Sequence, residues 1–213
     1  LAAWHAAREE GKQIVVESFA PGDDHRLLVI GGKLVAAARR EPAHVVGDGR
    51  QTIGELVEAA NRDVRRSNGH ATSLSTINLD AVALSVLADQ NLSRESVPAA
   101  GAKVLIRRNG NLSTGGTASD VTDLVHPQVA ATAVSAAAMV GLDIAGIDVV
   151  AQDISRPLEE QRGAIVEVNA GPGLRMHLTP SEGKSRPVGE AIVEMLYPAD
   201  AEARIPIVAM TEM

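Results

Sequence analysis

The sequence predicts an α+β fold with largely antiparallel strand pairing. Three observations carry this. Apolar runs at 26–30 and 33–38 flank Gly31-Gly32, the turn chemistry of a two-residue hairpin. Helix starts are recognisable at Thr52, Asp80 and Pro127, alternating with strand segments. Two more apolar strands, 144–150 and 164–169, follow the last of these helices.

In chain order, residues 1–11 read as the end of an amphipathic helix closed by Gly11, and 13–18 as a short strand. Pro21-Gly22 marks a turn before the hairpin. Residues 41–51 form a loop rich in Gly, Pro and His. Thr52 and Glu55 have capping-box spacing, which predicts a helix to Asn61. Residues 61–73 are a polar loop with Arg62, Arg65, Arg66 and Asn68-Gly69. Asp80 caps a helix to Gln90, 103–107 is a strand, and 109–119 is a Gly/Ser/Thr loop. The helix from Pro127 ends at Gly141. After the last strand come a Gly-Pro-Gly loop at 171–173, a helix over 187–197 and a strand over 204–210.

Composition bounds the function. The 213 residues suffice for one or two domains. A net charge of −7 without a long basic block disfavours nucleic-acid binding. Trp4, Phe19 and Tyr197 are the only aromatics, so base-stacking platforms are excluded and the core is aliphatic. The absence of cysteine excludes disulfides, a thiolate nucleophile and zinc–thiolate sites, and suits a reducing cytoplasm. The weakly polar stretch 129–140 is too short to span a membrane, which takes about 20 apolar residues. No signal peptide is read at the N-terminus, which carries His5, Arg8, Glu9 and Glu10. The chain starts with Leu, so a piece of a longer protein is expected.

The sharpest chemical feature is acidic. Glu167 and Asn169 alternate on one strand, so they share a face about 6.6 Å apart at ~3.3 Å per residue. If the strand holding Asp148 pairs with it, two carboxylates and an amide oxygen converge. Such hard oxygen donors, without His or Cys, select Mg²⁺ or Mn²⁺. Strand pattern alone also fits polar residues on the exposed face of a sheet. The glycines of 170–173 would let backbone approach a ligand directly after this strand.

Two other segments carry polar chemistry. Arg107 and Arg108 precede the small-residue loop 111–117, whose N–H groups suit phosphate or carboxylate oxygens; an ordinary surface loop fits as well. Glu17, Asp23, Asp24 and Arg26 surround a turn that could hold a nucleoside, or simply carry surface charge. The six histidines show no i,i+4 pair, and His177 reads as a polar contact beneath the Gly-Pro-Gly loop or as a catalytic group.

In this order the features resemble ATP-grasp ligases. Asp148, Glu167-x-Asn169 and the following glycine loop resemble that family's Mg²⁺-binding strands, and 17–24 its adenine and ribose clamp. Pro42-Ala43-His44-Val45-Val46-Gly47-Asp48-Gly49 and Thr122-Asp123-x-x-His126-Pro127 are similar to the glutathione synthetases and cyanophycin synthetases within it. The run 167–177 with Pro180-Ser181-Glu182-Gly183 is more similar to the cyanophycin synthetases, and Arg204–Thr211 resembles the strand leading into a Mur-ligase-like domain.

The resemblance implies an ATP-grasp fold with its N-terminal part missing: a partial ATP-grasp domain over 1–198, then over 199–213 a linker and the first strand of a truncated Mur-ligase-like domain. It implies ATP and Mg²⁺ as cofactors and a ligase that adds aspartate to a cyanophycin primer through an acyl phosphate. Metal ligands would be Asp148, Glu167 and Asn169. Glu17, Ser18, Ala20 and Asp24 would hold the nucleotide. Arg26, Arg40 and Arg107, with Asn111, Ser113, Gly115 and Gly116, would serve the reacting groups, and Arg175 and His177 the substrate. A cytoplasmic homo-oligomer is implied, with no nucleic-acid or membrane partner. The alternatives are a glutathione-synthetase-type ligase and a non-catalytic fragment. The family's Gly-rich phosphate loop and gripping lysines have no counterpart in these residues, so the segment alone is expected to be inactive.

Overall fold

Gly31 and Gly32 adopt φ values of +54° and +73°, the paired left-handed conformation that a type I′ turn requires. They close the hairpin between β1 (Asp23–Ile30) and β2 (Lys33–Glu41), each about three residues longer than the apolar pattern indicates. In this computed structural model, residues 4, 8, 9, 11, 13–16, 18–67 and 73–198 are described. Glu17 and the expected tail strand lie outside them.

The hairpin is the centre of a five-stranded sheet in the order β7-β2-β1-β8-β9. Here β7 is Thr117–Asp120, β8 is Ile144–Ala151 and β9 is Ala164–Asn169. Every pairing in it is antiparallel, including β8 with β9. One face is apolar. Leu27, Val29, Ala145, Ile147 and Val149 alternate inward and pack with Val129, Ala133 and Ala137 of helix α3 (Pro127–Val140). That helix starts with Pro127 at its first turn and ends on Gly141 at φ +77°, as its sequence indicates.

A smaller unit is inserted between β2 and β7. Strand β3 (His44–Val46) pairs with β6 (Lys103–Leu105). Helices α1 (Ile53–Asn61) and α2 (Ala81–Asp89) cover them around Ile53, Val57, Leu87, Val104 and Ile106. Thr52 and Glu55 form the expected capping box, and Asp80 caps α2. A short parallel pair, β4 (Arg66–Ser67) and β5 (Leu74–Ser75), lies beside it.

Four readings need correction. Residues 13–16 and 18 form no strand; Val15 and Val16 are about four-fifths exposed, without a ladder neighbour among the described residues. The segment read as a loop at 41–51 contains β3, which exists because β6 supplies its hydrogen bonds. The loop read to Ser119 gives way at Thr117 to β7, whose polar residues pair along the edge of β2. A short helix α4 (Arg175–Leu178) follows the Gly-Pro-Gly loop and precedes helix α5 (Val188–Leu196).

Candidate functional site

The second face of the sheet carries the charges. Registers put Arg26 opposite Asp148, Asp148 opposite Glu167, and Gly146 opposite Asn169. Directly opposed residues share a face, so three strands deliver Arg26, Asp148, Glu167 and Asn169 to one surface. Arg40, on β2, joins them. Arg26 Nε donates to Asp148 Oδ1 in a short contact, and Arg26 Nη2 donates to Oδ2 at 3.2 Å. Arg40 Nη2 donates to the same Oδ2 at 3.2 Å. All three side chains are only 11–13% exposed.

Glu167 is exposed and makes no ion pair among the described residues. Asn169 Nδ2 donates to the Gly146 carbonyl at 3.3 Å, which leaves its side-chain oxygen for a ligand. The Gly-Pro-Gly loop covers the same spot: a Cβ on Gly146 would meet Pro172 Cβ at 2.7 Å and Arg26 Nη1 at 3.0 Å. Only glycine fits there.

The donor set was tested for a divalent cation. Among the described residues no three His, Asp or Glu side chains converge into a metal cluster. Two carboxylates and an amide oxygen do share this face, and these are hard donors. Asp148 accepts three hydrogen bonds, and a carboxylate offers about four lone-pair directions, so one remains. Arg40 Nε and His177 Nε2 are buried without hydrogen-bond partners among the described residues. The residues fit a cation held together with an anionic group.

His177 is 2% exposed on α4, which packs over β2 and β7. Burial, and then the Arg26 charge, pull its pKa down to about 4 against the opposing pull of Asp120. It is therefore neutral at pH 7. It is buried, but among the described residues its Nε2 has no hydrogen-bond partner, so it is not the satisfied polar contact that one of the two sequence readings offers.

Other sequence-named residues lie elsewhere. Arg107 is buried in the smaller unit, where Nη2 donates to Asp80 Oδ2 at 2.7 Å and to the Asn78 carbonyl at 3.4 Å. It braces the start of α2 and is not on the charged face. In the 111–117 loop, the Gly116 N–H donates to the Asn111 carbonyl and the Gly115 N–H to the Leu112 carbonyl, both at 3.2 Å. Those N–H groups are consumed within the loop, which leaves the exposed side chains of Asn111 and Ser113 for a ligand. Asp24 shares the face of Arg26 two residues before it, and Ser18 and Ala20 precede β1. Arg175 donates to Ser75 Oγ at 3.2 Å.

Sequence reasoning missed a cleft of about 690 Å³ where β2 and β7 meet the smaller unit. Glu41, Arg62, Arg66, Ser119, Ser181 and Glu182 are among its lining. Ser181 and Glu182 of the 180–183 motif and the arginines of the polar loop, Arg62, Arg65 and Arg66, line it together, and their convergence depends on long-range packing that sequence spacing does not show.

No family model matches the chain. It is 49% identical over 210 residues to the cyanophycin synthetase of Trichormus variabilis, a match that covers 99% of this chain and 23% of that protein. The resemblance to cyanophycin synthetases holds. The chain spans about a quarter of these relatives' length. The glutathione biosynthesis bifunctional protein of Clostridium perfringens is 38% identical over 191 residues, covering 90% of this chain and 25% of that protein. The crystal structure of a bifunctional glutathione synthetase from Pasteurella multocida superposes with a TM-score of 0.71 at 33% identity, over 85% of this chain and 24% of that one. The α+β fold expected of an ATP-grasp ligase is the fold observed. Among the described residues no helix is long and apolar enough to cross a membrane.

Proposed function

We propose that this chain is the nucleotide- and metal-binding part of a cytoplasmic ATP-dependent carboxylate–amine ligase, and that the reaction adds aspartate to a cyanophycin primer through an acyl phosphate. The observation that carries it is the charged sheet face, where two guanidiniums, two carboxylates and an amide oxygen meet beneath a glycine loop. Glu167, Asn169 and the free lone pair of Asp148 would hold Mg²⁺. When bound there, the cation would neutralise phosphate oxygens during phosphoryl transfer.

The protein's own groups do the rest. Arg26 and Arg40, aligned by Asp148, are planar donors suited to carboxylate or acyl-phosphate oxygens. Asp24 would take the ribose hydroxyls, with Glu17, Ser18 and the Ala20 N–H on the nucleotide. Asn111 and Ser113 side chains would steady the reacting carboxylate. Arg107 acts indirectly, by fixing the smaller unit through Asp80. The cleft of about 690 Å³, lined by both charge signs, suits a primer that alternates carboxylates and guanidiniums. Arg175 and His177 would border it. We assign residues 1–198 to the ATP-grasp part and 199–213 to a connection toward a Mur-ligase-like domain. Exposed Val193 and Leu196 on α5, with Tyr197 just after it, would serve self-association into a homo-oligomer.

The likeness to bifunctional glutathione synthetases favours one second reading, a ligase acting on γ-glutamylcysteine. Manganese titration followed by NMR line broadening tests the metal assignment: broadening centred on Gly146, Glu167 and Asn169, lost in Glu167→Gln, is expected. Broadening elsewhere would remove it. Aspartate-dependent against glycine-dependent phosphate release, in a longer protein carrying this segment, separates the two substrates.

A further inference from the structure

The segment 180–186 runs along the outer edge of β7 as a strap. The Ser181 N–H donates to the Ala118 carbonyl at 2.7 Å, and the Asp120 N–H donates to the Glu182 carbonyl at 2.9 Å. Ser181 Oγ accepts from the Ala118 N–H at 3.2 Å. Ser119 and Glu182 form a parallel bridge. Ser119, Ser181 and Glu182 all line the cleft where β7 meets the smaller unit. The strap thus forms one wall of that cleft.

Two or three backbone hydrogen bonds at a sheet edge do not hold such a segment rigidly, because edge strands fray. A side-chain lock does. Arg186 Nε donates to both Asp120 oxygens at 3.1 Å, and Nη2 donates to Asp120 Oδ2 at 2.6 Å. Nη1 donates to Asp123 Oδ1 at 3.0 Å, and Lys184 Nζ donates to Asp123 Oδ2 at 2.8 Å. Asp120 is anchored in turn: its Oδ1 accepts from Thr122 Oγ1 at 2.5 Å, and Thr122 Oγ1 accepts from the Ala37 N–H of β2 at 2.9 Å. The chain of contacts runs from the strap to the middle of the sheet. Asp120 is 8% exposed and Arg186 18%, so water competes little for this pair. A guanidinium fork on two carboxylates fixes direction as well as distance, which an ammonium cannot do.

We infer that Arg186 is a positioning residue: by locking the 180–186 strap to Asp120 and Asp123 it sets where Ser181 and Glu182 stand in the cleft wall, and so how tightly the cleft takes a charged peptide. The peptide clause rests on the primer reading above. The lock itself does not.

The experiment uses the 213-residue chain and its Arg186→Ala and Arg186→Lys variants, with two readouts. Amide hydrogen exchange reads the strap directly. Exchange at Ser181 and Asp120 is expected to rise about tenfold or more in both variants, while the β1–β8 amides, Leu27 and Ile147 among them, stay within about twofold. Calorimetric titration with a two-unit segment of the aspartate–arginine polymer reads the cleft. Its affinity is expected to fall about tenfold in Arg186→Ala, with Lys recovering little of it. Loss of protection across β1 and β8 together with the strap would mean a general structural role and overturn the inference, as would an unchanged strap or a loosened strap with wild-type affinity. If the wild-type chain takes no such peptide, the primer reading fails, and the exchange data decide the lock on their own.

Discussion

The two faces of the central sheet are built from the same strands by different rules. On one, Leu27, Ile147 and Val149 are at most 1% exposed and pack into an apolar cluster under α3. On the other, one residue along, Arg26, Arg40 and Asp148 are desolvated around each other while Glu167 stays open to solvent. The apolar face gains free energy from every group it buries. Desolvating ions costs several kcal/mol each, and their attraction offsets that cost only when every partner is present. The difference teaches that the two faces respond to substitution differently: the apolar face loses with every group removed, the charged face loses most when one partner of a set is removed and the others stay buried.

Substitution should break this comparison most strongly on the apolar side. Leu27→Ala removes a fully buried side chain between β2, β8 and α3 and is expected to cost about 3–4 kcal/mol in chemical denaturation. A loss below about 1 kcal/mol would mean that the face is loosely packed. Asp148→Asn is next. It leaves Arg26 and Arg40 desolvated without a countercharge, at a cost of about 3 kcal/mol by the same measurement. The double change with Arg26→Met should then recover part of the loss, because the stranded charge is gone.

His177 gives an effect that pH can switch. Its folded pKa lies near 4, below the ordinary value of 6.5, because burial disfavours the imidazolium. Below pH 6.5 the unfolded chain takes up a proton that the folded chain refuses, so stability falls as pH drops from about 6.5 to 4. A drop of that size is worth roughly 3 kcal/mol over that window. Buried His25, also held low by burial, adds to the same slope, so the contrast with His177→Met isolates one contribution. Parallel stability–pH curves for the two proteins would refute it.

How much of this was legible depends on what fixes each feature. Glu167 and Asn169 could be placed on one face because strand alternation is set by covalent geometry, whatever the neighbours do. Asp148 joins that face only if β8 pairs with β9, a condition that the sequence left open and the observed register meets. The N–H groups of the 111–117 loop were not legible for the opposite reason: whether Gly115 and Gly116 present them outward depends on loop closure, and here the Leu112 and Asn111 carbonyls take them. Arg107 looked like a ligand group because Asp80, which claims it, lies 27 positions away in sequence. Arg186 was invisible because its partners Asp120 and Asp123 sit over 60 positions upstream.

The smallest expected stability effect is the sharpest test of the charged face. Glu167 stands opposite Asp148 on β9, yet it is exposed and has no ion-pair partner among the described residues. Glu167→Gln keeps the side chain's shape and length and removes only charge. Surface changes of this kind stay within about 0.5 kcal/mol, so the denaturation midpoint should hardly move. Asp148, opposite it, is already paired with Arg26 and Arg40, so little stability hangs on the Glu167 charge. An exposed carboxylate without an ion-pair partner among the described residues, on one face with the Asn169 side-chain oxygen, is open to a cation. Manganese affinity should therefore drop at least tenfold in Glu167→Gln while stability stays level. A variant that loses stability without losing the metal would move Glu167 from the ligand set to the scaffold.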